Sequence, residues 1–299
     1  MTGGNGHSAI LSFTRAPRRV VSLVPSMTES LFDLGVGDSL AGVTEYCRPP
    51  EHARPRLTLV GGTKSVDVEA VLGLKPDLVL ANQEENTRPV VEALESAGVK
   101  VWVTFPRSVA EALQVLWALV RLFRIPNAGA IVQTLERTVS WTASASAESP
   151  VRTFIPIWQS DPSAERRWWM TVNRETYVHD VLAVCGAANV FADRQRRYPL
   201  EAELGGAPGE AAGGRDTRYP RVTLEEVVAR APDLILLPSE PYAYAQDDVL
   251  RFAETFRGTP AADAGRIRTI DGSLLTWHGT RLGRALAELP GLIREAVGT

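Results

Sequence analysis

One stretch of this 299-residue chain is written twice. Glu69-Ala-Val-Leu-Gly-Leu-Lys-Pro-Asp-Leu-Val-Leu-Ala-Asn-Gln-Glu84 returns as Glu225-Glu-Val-Val-Ala-Arg-Ala-Pro-Asp-Leu-Ile-Leu-Leu-Pro-Ser-Glu240. Each copy reads as a short helix, a Pro-Asp turn, an apolar strand and a polar loop that ends in glutamate. Pro76 and Pro232 lack the N–H that would continue a helix, and Asp77 and Asp233 suit the turn. The strands Leu78-Val79-Leu80 and Leu234-Ile235-Leu236 show no polar alternation, so both faces are buried, as in a parallel sheet covered by helices. A Pro-Asp-Leu tripeptide can recur by chance. Flanking glutamates in register recur by chance far less readily. The repeat predicts two related lobes, and the length agrees with about two domains.

The remaining pattern extends this reading. Arg19 to Val24 is a short strand stopped by Pro25, and Thr28 is placed to cap a helix over Glu29 to Leu34 that Gly35 closes. Leu40 to Val43 and Val99 to Val103 are further strands with helical segments between. Such alternation predicts an α/β fold of two Rossmann-like lobes with mainly parallel central sheets. Arg107 to Phe123 carries apolar positions at helical spacing. Asn127 to Ser144 follows Pro126 as a second helix, which at 1.5 Å per residue would run roughly 27 Å and join the lobes as a single strut. The expected division is 1–125, a linking helix at 126–146, and 147–299. The second lobe opens on a strand at Arg152 to Ile157, and Tyr177 to Val184 is its core helix, closed at Gly186. Residues 203–216, rich in glycine and alanine, read as a loop without a core.

Composition excludes several classes. With 44% hydrophobic and 22% charged residues the chain can bury substantial cores. A formal net charge of -3 gives no general attraction to nucleic acid, and the cluster Arg194, Arg196 and Arg197 reads as a solvated loop. The two cysteines, Cys47 and Cys185, read as free thiols. No stretch approaches the roughly 20 apolar residues of a membrane span. Met1 to Arg19 shows no leader-like apolar run, so the chain as written is expected in the cytoplasm, or in the periplasm or at the cell surface if a leader has been removed. The Gly-x-x-x-x-Gly-Lys-Ser/Thr, Gly-x-Ser-x-Gly and His-Glu-x-x-His patterns are missing from the sequence.

Ligands of parallel α/β sheets sit outside the carboxyl ends of the strands, and this rule selects the loops that matter. In the first lobe they hold Pro25, Glu45-Tyr46-Cys47, Lys64 after two glycines, and Glu84 to Asn86. In the second they hold Trp158, Trp168, Trp169, Glu240, Tyr242 and, by this reading, Trp277, His278 and Arg281. Four of the seven tryptophans fall in the second set. They offer a stacking wall for a flat ligand or, alternatively, a small core beneath the loops. Lys64 can pair with an anionic ligand group or with Glu84. His278, the best placed of four histidines, can hydrogen-bond a ligand or ligate a metal. Glu84 and Glu240 can bind ligand or, in a chelatase- or lyase-like enzyme of the same two-lobed form, act as an acid/base pair.

With these residues in view, the sequence resembles the substrate-binding proteins of ABC importers for cobalamin, ferric siderophores and haem, the helical backbone metal receptors. The matching segments are Arg19 to Glu29, Gly61 to Lys64, Glu69 to Leu80, Tyr177 to Asp193 and Glu225 to Leu236. The resemblance implies two lobes joined by one rigid helix, with cobalamin, haem or a ferric siderophore held between them as ligand. It implies no intrinsic cofactor, no catalysis and a monomer. It also implies that Glu69 and Glu225, on the outer rim of each lobe, dock to arginines of a permease. The absence of an export signal from the written sequence departs from exported members and points to a cytosolic carrier of the same family. Four histidines are too few for a bare zinc or manganese receptor.

Overall fold

The computed structural model describes residues 14–127, 129–146 and 149–298. The expectation about a leader falls largely on residues 1–13, outside the described residues, as do Ala128 within the expected linking helix and Ala147 and Glu148 just beyond it. In chain order the elements are β1 (Val20–Ser22), α1 (Pro25–Asp33), β2 (Leu40–Val43), β3 (Thr58–Leu59), α2 (Val68–Gly73), β4 (Leu78–Asn82), α3 (Arg88–Ser96), β5 (Val101–Thr104), α4 (Val109–Phe123) and α5 (Gly129–Ser146). They continue with β6 (Val151–Phe154), β7 (Trp158–Gln159), β8 (Trp169–Met170), α6 (Tyr177–Val184), β9 (Ala187–Asn189), α7 (Leu200–Glu203), β10 (Arg221–Val222) and α8 (Leu224–Arg230). Last come β11 (Leu234–Pro238), α9 (Gln246–Thr255), α10 (Pro260–Asp263), β12 (Ile267–Ile270), α11 (Ser273–Thr276) and α12 (Arg281–Val297).

The chain divides into two compact units. Unit 1 holds residues 1–106, 110–136 and 277–282, and unit 2 holds 107–109, 137–276 and 283–299. The division falls inside both α5 and α12.

Unit 1 is built on a five-stranded sheet in the order β3-β2-β1-β4-β5, every pair parallel. All five residues of β4 are buried, as an unbroken apolar run requires. Val21, Leu23, Val79, Ala81, Val71 and Leu94 form the core between this sheet and its helices. Unit 2 contains a four-stranded parallel sheet, β12-β11-β6-β9, and a three-stranded antiparallel sheet, β10-β8-β7. Its core packs Phe154, Trp169, Phe191, Phe252 and Phe256 with Ile235 and Leu237 of β11.

The repeat is visible in the backbone. In unit 1, β1 lies between β2 and β4; in unit 2, β6 lies between β9 and β11. Lys75 and Ala231, at equivalent places just before the prolines, both adopt left-handed backbone with φ of 48° and 43°. An arginine at the head of each first strand holds the helix end. Arg19 Nε donates to the Leu74 carbonyl and an Arg152 guanidinium N–H to the Arg230 carbonyl. The pairing is closed by the Asp77 N–H on the Arg19 carbonyl at 2.9 Å and the Asp233 N–H on the Arg152 carbonyl at 2.7 Å.

Three local expectations need correcting. α1 begins at Pro25, which supplies a fixed φ at the first helical turn, and its N-cap is Val24 without a side-chain bond. Thr28 is inside the helix, its hydroxyl 3.1 Å from Cys47 Sγ. Arg194 is not solvated. It is 7% exposed, 2.9 Å from the Glu226 carboxylate and 3.6 Å from the fully buried carboxylate of Glu203. A buried guanidinium needs such acids around it, and these lie 9 and 32 residues away in sequence. Finally, Trp277, His278 and Arg281 belong to unit 1, not to the second lobe. The Arg281 guanidinium grips the Glu29 carboxylate of α1 at 2.8 and 2.9 Å, and the Thr280 N–H donates to the Ser30 hydroxyl at 3.1 Å.

Candidate ligand-binding site

In unit 1 the chain reverses its winding direction between β1 and β4, which is where a doubly wound sheet opens a crevice at its carboxyl edge. Asn86 fills the base of that crevice. Its side-chain amide donates to the Leu23 carbonyl at 3.2 Å and the Thr63 carbonyl at 3.0 Å, and its oxygen accepts from the Asn82 N–H at 2.8 Å. It is 5% exposed, so it ties the loops after β1, β3 and β4 together. Pro25 is buried at the start of α1.

Above this clamp stand the exposed groups. Lys64 is exposed and its ammonium donates to the main-chain carbonyl of Glu84. Tyr46 is 59% exposed. Trp277, by contrast, is buried at 8% exposure, with two guanidiniums over its ring, Arg281 at 4.9 Å and Arg48 at 5.5 Å. Arg281 is neutralised by Glu29, whereas Arg48 is exposed. Sequence reasoning missed Arg48. Its only signal was its place directly after the selected loop at Glu45 to Cys47.

His278 lies in the interior beneath these groups. Asn82 Oδ1 accepts the Glu84 N–H at 2.7 Å, which turns the Asn82 amide nitrogen toward His278 Nε2 at 3.3 Å. Nε2 therefore accepts, and the ring proton belongs on Nδ1. Burial pushes the imidazole pKa down to about 4, so the ring is neutral at physiological pH. The contact with Asn82 ties the ring to the end of β4. Among the described residues no three His, Cys, Asp or Glu side chains gather into a metal-binding group. Cys47 and Cys185 are free and buried, one in each unit, and burial raises both thiol pKa values, Cys185 to about 12.

In unit 2 the four loop tryptophans expected to act together are reduced to two by the structure. Trp169 is 1% exposed and packs on Phe256 at 4.7 Å; it is core, because its neighbour in β10 is the buried Val222. Trp277 is in unit 1. Trp158 is 44% exposed and meets the Tyr242 ring edge-on at 5.5 Å. The Tyr242 hydroxyl accepts from Gln159 Nε2 at 2.9 Å, and its ring packs on Tyr244 at 4.5 Å. Trp168 is half-buried with Arg221 5.6 Å above its ring. Glu240, at the carboxyl end of β11, accepts from the Thr276 hydroxyl and is pressed against Gly272. That fixes it as part of the loop.

Glu69 and Glu225 occupy the same step of equivalent helices. Asp67 caps α2 and Thr223 caps α8, which makes each glutamate the second helical residue, and both are exposed. A Thr223 hydrogen bond adds to a main-chain one in holding the Glu225 carboxyl below the usual carboxylate range. Glu226 completes a capping box with Thr223.

The chain is 28% identical over 225 residues to a vitamin B12-binding protein of Yersinia pestis (strain Pestoides F), covering 75% of this chain and 70% of that protein. It is 26% identical over 245 residues to a vitamin B12-binding protein of Photorhabdus laumondii, covering 79% and 78%. The periplasmic vitamin B12-binding protein of Vibrio cholerae has a similar fold, with a TM-score of 0.72 at 20% identity, covering 95% of this chain and 99% of that one. A periplasmic heme-binding protein from Roseiflexus gives 0.71 at 22% identity, covering 94% and 99%. No described helix is long and apolar enough to cross a membrane. A model of the periplasmic binding protein family matches residues 20–274, and the chain belongs to that family.

Proposed function

We propose that this protein binds a metal chelate reversibly, a cobalamin-like corrinoid, haem or a ferric siderophore, and delivers it to an ABC permease. The observation that carries the reading is the match to vitamin B12-binding proteins over three quarters of the chain. The geometry supports it. Unit 1 presents Tyr46, Arg48 and Lys64 on its carboxyl-edge loops, groups that suit the polar periphery of a ligand; in unit 2 Trp158, Trp168 and Tyr242 offer aromatic surface that suits a flat apolar body. Of the two expected acids, the Glu240 carboxylate accepts from the Thr276 hydroxyl, and the Glu84 main chain, rather than its carboxylate, bonds Lys64 and Asn82. Binding without chemistry is the simpler use of such a loop set. Titration with cobalamin, haemin and ferric siderophores, followed by absorbance and calorimetry, tests the proposal. Saturable binding of one of them is expected; no heat and no spectral change with any would overturn it.

Docking to a permease is assigned to Glu69 and Glu225. Both are exposed at the second position of matched helices, where a carboxylate is also favoured by the helix dipole. The charge-reversed variants Glu69→Arg and Glu225→Arg are expected to keep ligand affinity while uptake into permease-containing vesicles falls by about tenfold or more. Unchanged uptake would remove the assignment. The protein is proposed to act as a monomer until it meets that partner.

A further inference from the structure

The first turn of α1 is short of acceptors. Its N-cap is Val24, whose apolar side chain offers none, Pro25 stands at the start of the helix, and no acid occupies the first turn. The leading N–H groups of a helix have no partner within it. Pro25 has no N–H to satisfy, and the Thr28 N–H reaches the Val24 carbonyl at 3.0 Å. The N–H groups of Ser26 and Met27 remain. Both residues are buried, and among the described residues neither N–H finds an acceptor.

Ser26 adds a third donor. It is 1% exposed, and its hydroxyl is buried without a hydrogen-bond partner. The serines four residues to either side are committed elsewhere: the Ser22 hydroxyl donates to the Val24 carbonyl at 3.0 Å, and the Ser30 hydroxyl to the Ser26 carbonyl at 2.8 Å. Helical Cα–Cβ bonds tilt toward the N-terminus, so the Ser26 hydroxyl leans to the same end of the axis as the two N–H groups. Because α1 follows directly on β1, that end lies at the carboxyl edge of the sheet, where the crevice of unit 1 opens. Glu29, the nearest acid of α1, is neutralised by Arg281 at 2.8 Å and does not oppose an anion there. Buried donors without acceptors are rare, and a helix N-terminus carries partial positive charge. An oxyanion answers both conditions.

We propose that the first turn of α1 is an oxyanion site, in which the N–H groups of Ser26 and Met27 and the Ser26 hydroxyl hold the oxygens of a phosphate or carboxylate. The group arrives as a free ion or as a substituent of the bound chelate, and only the second case rests on the function proposed above. Inorganic phosphate and acetate are titrated into the unaltered chain, Ser26→Ala and Ser26→Asp, with chloride at matched ionic strength as the control. Calorimetry and melting temperature follow binding, and circular dichroism confirms the fold. The same proteins are titrated with cobalamin and cobinamide, which lacks the phosphodiester, and with haemin and its dimethyl ester.

For a free ion, saturable binding of phosphate or acetate is expected, about tenfold weaker in Ser26→Ala and lost in Ser26→Asp, whose own carboxylate takes the place of the ion. A preference for the anionic member of a chelate pair that falls in the same variants assigns the oxyanion to the chelate. Oxyanion binding equal in all three proteins, or no binding of any oxyanion that depends on Ser26, would overturn the inference. Should every chelate fail to bind while phosphate binds through Ser26, the oxyanion site stands and the proposed function falls. Should a chelate bind all three proteins equally while no free ion binds, the function stands and the oxyanion site falls.

Discussion

His278 shows how burial sets the state of a side chain that the sequence alone leaves open. Its pKa of about 4 follows from burial, against an ordinary value near 6.5. The unfolded chain therefore takes up a proton at a higher pH than the folded one. The stabilising contribution is complete above about pH 6.5 and is lost as pH falls toward 4, amounting to about 3 kcal/mol for a fully buried ring. Denaturant unfolding at pH 7 and at pH 4 should show this loss in the unaltered protein. A His278→Gln variant, in which nothing titrates at that position, should show a loss smaller by about that amount. The same scale shows what the sequence could not display. Trp169 and Trp168 are adjacent, yet one is core and the other half-buried, because a strand turns successive side chains to opposite faces. No composition rule separates them until the strand is known.

At the scale of elements the reading was most secure where local chemistry decides. Leu40–Val43 is a strand and Tyr177–Val184 a helix with the bounds expected, and Pro76 and Pro232 each stand between a helix and a buried strand. The antiparallel sheet β10-β8-β7 was not foreseen, since β7, β8 and β10 have two residues each and their pairing is set by tertiary contacts. Arg194 was misread for the same reason. It bonds Glu226 at the start of α8 and lies beside Glu203 at the end of α7, and this fixes the excursion between β9 and β10. Arg194→Met should cost about 3–5 kcal/mol, because it strands a buried carboxylate. Adding Glu203→Gln should recover part of that loss in urea unfolding curves. An additive pair of effects would show that the two side chains do not interact.

For the whole molecule, duplication was the most informative signal, since it predicted α/β units from a few dozen residues. It could not assign Trp277 to Leu282, which lie beyond the second copy in sequence and yet belong to unit 1. The ion pair of Arg281 with Glu29 spans nearly the length of the chain, and no short-range pattern announces such a return. One thermodynamic expectation belongs at this scale. A ligand that binds only the folded chain stabilises it by about 2.7 kcal/mol at a hundredfold excess over its dissociation constant. The correct chelate should therefore raise the melting temperature in a concentration-dependent way, and a chelate that merely adsorbs to unfolded chain should lower it.

The left-handed corners at Lys75 and Ala231 carry a consequence of their own. Neither residue is glycine, so each carries a steric cost of roughly 1–2 kcal/mol, incurred once in each copy. Ala231→Gly should relieve strain, partly offset by the greater freedom glycine gives the denatured chain, and a net gain in melting temperature is expected. Two corners bearing the same burden at matched positions mean that the duplication reaches past side-chain identity to backbone handedness.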